Sequence, residues 1–82
     1  MKTRKKREEA RLLWVLRGLN ELAGNGPMFA ARDGVLAGLS AMEPGPMRRA
    51  RRRLKRKGLI AFRRQWFGGM ALYWVTEQEA QA

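Results

Sequence analysis

From Glu8 onward, apolar residues recur at three- and four-residue spacing: Leu12, Leu16, Leu19, then Leu22 or Ala23. Glu9, Arg11, Arg17 and Glu21 fall largely off that stripe. The spacing predicts an amphipathic helix of roughly 15 residues, because 3.6 residues per turn puts such positions on one face. Glu8 and Glu9 suit the positive end of its dipole, and Gly24-Asn25-Gly26-Pro27 stops it. Residues 1–7 lack this periodicity and read as a flexible basic arm. Met28 to Arg32 is too short for a helix between two breakers, so it predicts a brief extended segment. Asp33 is then placed to cap a second helix with apolar positions Val35, Leu36, Leu39 and Met42. Gly34 and Gly38 weaken that helix by about 1 kcal/mol each relative to Ala.

Glu43-Pro44-Gly45-Pro46 is a strong break, and Pro46 suits the first position of a third helix. That helix is expected to run to about Lys57, with Gly58 as its left-handed cap. Leu59 to Trp66 and Met70 to Thr76 are β-prone runs joined through Phe67-Gly68-Gly69, which predicts a hairpin. Phe62, Tyr73 and Val75 are expected in the core. Trp14 lies off its helix stripe and Trp74 alternates away from its neighbours, so both are candidates for a partner or dimer surface. The expected fold class is α+β: three helices, a short strand after the first, and a C-terminal hairpin. One domain spans residues 8–77, with a polar tail at 78–82.

Composition narrows what such a domain does. Its 82 residues include 18 Lys+Arg against 7 Asp+Glu, a formal charge of +11, with no His and no Cys. That removes disulfides, thiol nucleophiles, zinc-thiolate sites and imidazole bases. The carboxylates form no pair that can be placed beside a nucleophile. The expectation is therefore a binding domain rather than an enzyme, with no cofactor and no metal. The charge calls for a polyanion: nucleic acid, an anionic membrane surface or an acidic protein. Apolar runs such as Leu12 to Leu16 are far short of the ~20 residues of a membrane span. The basic start is followed by Glu8 and Glu9 and interrupted at Arg17, unlike a signal peptide. A cytoplasmic, nucleoid-associated location is expected, with no membrane partner.

The charge is concentrated. Residues 48–57 hold eight Lys/Arg and no acid. On a helix, Met47, Ala50 and Leu54 form one narrow stripe that faces the core, and the opposite arc carries Arg48, Arg49, Arg52, Lys55 and Arg56. Arg51 and Lys57 flank the stripe and Arg53 sits on its other shoulder. Arginine offers a planar fork for bidentate bonds to phosphate or to the O6/N7 edge of guanine. Arg63, Arg64, Gln65 and Trp66 add a second basic element with aromatic surface near the hairpin tip. Lys5 and Lys6 add phosphate-binding charge on the arm.

The order helix, short strand, helix, turn, basic helix, hairpin resembles the winged helix-turn-helix domain. Leu54-Lys55-Arg56-Lys57-Gly58-Leu59-Ile60, closing with Tyr73-Trp74-Val75-Thr76, is similar to the L-x-x-x-G-L-I … Y-x-L-T ending of winged-helix bacterial regulators. The resemblance spans roughly residues 8 to 77. It implies a recognition helix at 46–57 in the major groove and a wing around Trp66 to Gly69. The implied function is double-stranded DNA binding by a small transcriptional regulator, with a homodimer left open. The turn before the basic helix departs from the pattern by carrying two prolines and a glycine. A second reading is a small winged-helix interaction module of phage or mobile-element type that binds an acidic host protein.

Overall fold

The computed structural model describes residues 2–24, 28–64 and 69–76. In chain order the elements are α1 (Lys2–Leu22), β1 (Phe29–Arg32), α2 (Asp33–Leu39), α3 (Pro44–Arg56), β2 (Ile60–Arg64) and β3 (Met70–Val75). The fold is α+β, with the three strands in one antiparallel sheet of order β1-β3-β2. Phe29, Tyr73 and Phe62 lie side by side across it, and Ile60 opposes Val75. Since side chains alternate along a strand, Ile60, Phe62 and Arg64 share the helix-facing side with Ala71, Tyr73 and Val75. Trp74 lies on the outer side, as its alternation predicts, and is half buried there.

The core fills the space between this sheet and the helices. Leu12, Val15 and Leu16 of α1, Leu36 and Ala37 of α2, and Met47, Ala50 and Leu54 of α3 pack on Phe29, Ala31, Ile60, Ala71 and Tyr73. The three α3 residues are at most 1% exposed, as their stripe requires. Tyr73 is the centre of the sheet face, with its ring stacked on Phe29 at 5.7 Å and tilted against Phe62 at 6.0 Å. Phe62 and Val75 are half buried, packed against the core rather than inside it.

Several expectations are corrected. Helix α1 begins at Lys2, so residues 2–7 are helical rather than an irregular arm. Lys and Arg are good helix formers, nothing in this stretch breaks the backbone ladder, and Arg4 reaches Glu8 one turn on at 3.9 Å. Leu22 is 85% exposed, because ten residues after Leu12 the helix has turned it about 80° off the buried stripe. Val15 is buried in its stead. In α2 only Leu36 and Ala37 are buried, while Val35 and Leu39 face solvent. The residue capping α2 is Arg32, without a side-chain bond, and Asp33 is the first helical residue. Helix α3 starts at Pro44, two residues early, behind Glu43. Pro44, Gly45 and Pro46 occupy the first turn, whose N–H groups have no intrahelical acceptor, so neither proline removes a bond. The Pro/Gly run therefore belongs to the helix, and the α2–α3 connection is Ser40 to Glu43, with Ala41 at φ 57°. Gly58 ends α3 at φ 79°, a conformation glycine adopts without the Cβ penalty.

Candidate nucleic-acid interface

Helix α3 is held on both flanks of its buried stripe by ion pairs that the local pattern does not reveal. Arg51, 2% exposed, donates to Asp33 Oδ1 and to the Tyr73 hydroxyl oxygen, each at 2.7 Å. Its guanidinium carbon sits 4.6 Å from the centre of the Phe62 ring. Burial works against its charge, but the bonds from Asp33 and Tyr73 outweigh it and hold the Arg51 pKa above the ordinary value. Burial also pushes the Tyr73 phenol up, and Arg51 offsets this only in part. Asp33 is thus a junction. Its backbone N–H donates to Gly69 O at 2.9 Å, and its second oxygen lies 3.5 Å from Arg48. Through its backbone and its carboxylate, this one residue joins the loop end of the β2–β3 hairpin, α2 and α3.

On the other flank, Glu9 of α1 accepts from Arg53 Nε and Lys57 Nζ, each at 2.5 Å. Burial raises the Glu9 pKa, but Lys57 and Arg53 together overcome this and hold it below the ordinary carboxylate range. Glu8 adds a contact to Arg53 at 3.6 Å. These pairs clamp the rotation of α3 about its own axis from both sides, which decides which residues it presents outward.

The outward residues are Arg48, Arg49, Arg52, Lys55 and Arg56, all exposed and spread over about 120° of the helix circumference. Arg49, Arg52 and Arg56 have no acidic partner among the described residues. Arg48 has only the long contact to Asp33, and Lys55 lies 5.0 Å over the Phe62 ring. Arg53 stands apart: it is turned to α1 and neutralised there. Arg64 shares the sheet face of Phe62 and is exposed, whereas Arg63 is exposed on the opposite face. Lys5 lines a cleft of about 390 Å³ with Arg4, Glu8, Pro46, Arg49 and Arg53, so its charge adjoins α3. Lys6 lies across α1, beside Leu54, Lys57 and Leu59. Gln65 and Trp66 lie outside the described residues.

The described carboxylates Glu8, Glu9 and Asp33 are engaged in these ion pairs, and no described group of His, Cys, Asp or Glu has the arrangement of a metal site. No helix of the described residues is long and apolar enough to cross a membrane. Comparison with known proteins finds no match: no protein-family model, curated protein or solved structure is similar to this chain.

Proposed function

We propose that this chain is a winged-helix protein that binds double-stranded DNA, with α3 as recognition helix and the β2–β3 hairpin as wing, acting as a transcriptional regulator. The reading rests chiefly on one observation: five cations on a single arc of a helix whose rotation is fixed by buried ion pairs on both flanks. The element order and the β1-β3-β2 sheet are compatible with a winged-helix layout. At 1.5 Å per residue, the 13 residues of α3 extend about 20 Å, and a single helix fits the ~12 Å major groove.

Pre-orientation matters for affinity. A helix whose rotation is already fixed does not have to be ordered on binding, although its exposed side chains do, and relief of their self-repulsion by phosphate adds to the driving force. Arg52 at the centre of the arc and Arg49 at its edge, both free of acids among the described residues, are the candidates for bidentate contact with guanine. Lys55, Arg64 and Lys5 supply phosphate contacts around them. Selection of bound sequences from a random duplex pool tests this reading. A consensus that relaxes at one position in Arg52→Ala is expected. Absence of duplex binding at low salt overturns it, and retention of an acidic protein after nuclease treatment then favours the interaction-module reading.

A further inference from the structure

On the side of α1 facing away from the core, Trp14, Gly18 and Leu22 form one row at four-residue spacing. Trp14 is 74% exposed and Leu22 85%. Between them, a Cβ built on Gly18 meets nothing within 4 Å, so the row is a knob, a notch and a knob. The row borders a groove of about 560 Å³ that Leu39 of α2 closes on one side, while Arg17 and Glu21 stand on the other. None of this is used by the basic arc of α3, and large apolar side chains exposed together beside one groove form the kind of patch that marks an interaction site.

We infer that this face is the interface of a two-fold symmetric homodimer formed with a second copy of this chain. The symmetry of the row favours a copy over any other occupant. Trp14 and Leu22 lie equally far from Gly18, so antiparallel pairing about an axis through Gly18 lays each Trp14 on the other copy's Leu22. Gly18 meets Gly18, where the missing side chains let the helices approach closely. The same operation brings Arg17 of each copy beside Glu21 of the other, making the polar flank self-complementary, and lays Leu39 against Leu39 on the apolar flank. Trp14, Leu22 and Leu39 expose on the order of 500 Å² per copy, so pairing removes on the order of 1,000 Å² from water, where specific interfaces begin. The inference is independent of what α3 binds.

Two copies each carrying +11 repel at long range, so added salt tightens this dimer, whereas it weakens any contact with a polyanion. Sedimentation equilibrium of the full chain from micromolar to about 200 µM is the test. The expected mass rises from the 9.4 kDa protomer to twice that, with a dissociation constant that falls between low and moderate salt. Gly18→Arg and Trp14→Glu are each expected to weaken association at least about 10-fold with an unchanged far-UV spectrum and with cooperative melting kept in the dilute protomer. Gly18→Ala, which fits the open notch, keeps the fold in any case and serves as the folding control. A single-protomer mass at every concentration and salt overturns the inference. So does a dimer that Gly18→Arg leaves intact, or a mass that grows beyond two copies.

Discussion

Replacing Asp33 with Ala strips the carboxylate from a guanidinium that is 2% exposed and leaves Arg51 with the Tyr73 hydroxyl and the Phe62 face. Removing one partner of a fully buried pair costs about 3–5 kcal/mol, since the remaining charge has no compensation. The Asp33 side chain is itself 21% exposed, so water enters the vacated space and the cost falls to about 2–3 kcal/mol. A domain of this size has roughly 4–12 kcal/mol in total, so the loss is large. With a urea slope of about 1 kcal/mol per molar, the far-UV midpoint moves down by about 2–3 M. Asp33→Asn keeps an acceptor in place and is expected to cost about half as much. Arg51→Met combined with Asp33→Ala removes the orphaned charge as well, so the double variant is expected to be more stable than the sum of the single losses by at least about 1 kcal/mol. A loss below about 0.5 kcal/mol for Asp33→Ala, or strict additivity in the cycle, would show that the junction does not hold α3.

Glu9 is held below its ordinary value of 4.5, so the unfolded chain takes up that proton first. The stabilisation is full above about pH 4.5 and is lost as pH falls through the lower folded value. Urea midpoints are expected to drop more steeply below that pH in the wild type than in Glu9→Gln. Tyr73 moves the other way. Its folded pKa is raised above 10.0, so the stabilisation is full below that pH and fades as pH climbs through the folded value. Tyr73 is the sole tyrosine, so phenolate absorbance reports it alone and is expected to titrate above the ordinary value until the chain unfolds; an ordinary midpoint in the folded protein would contradict its burial. Gly58→Ala forces a side chain into φ 79° and is expected to cost about 1–2 kcal/mol, whereas Ala41→Gly relieves φ 57° and is expected to gain about 0.5–1 kcal/mol in the same urea assay.

What the sequence revealed and what it hid divide along one physical line. Met47, Ala50 and Leu54 are legible because their burial follows from helix period alone, and Gly58 because its cap is a property of one residue. The hairpin is legible from two β-prone runs around glycine. The helix period shows Arg51 only as a neighbour of the buried stripe, since its partners lie 18 and 22 residues away and become neighbours only after the sheet forms. The same holds for Arg53 and Lys57, which meet a glutamate 44 and 48 residues distant. In the run at 48–57 chemically alike residues thus divide into clamps and outward groups, and charge counting treats them as equal. Asp33 misled for a related reason: its residue type suits a helix cap, but a buried guanidinium competes for the carboxylate more strongly than a backbone N–H does. The N-terminal helix extension was hidden because residues 2–7 have no apolar stripe, and helix there rests on propensity and local ion pairing rather than burial.

The division of α3 into outward and clamped cations is tested most directly by the salt dependence of duplex DNA affinity. With ~6–8 phosphates neutralised, log K is expected to fall against log salt with a slope of about −5 to −7. Arg48, Lys55 and Arg56, the outward cations of α3 not assigned to guanine, replaced together by Ala are expected to make that slope shallower by about 3 units, and replacement of Arg53 alone by Gln to leave it nearly unchanged. A wild-type affinity almost independent of salt, or an Arg53→Gln slope change as large as that of an outward arginine, would contradict the assignment.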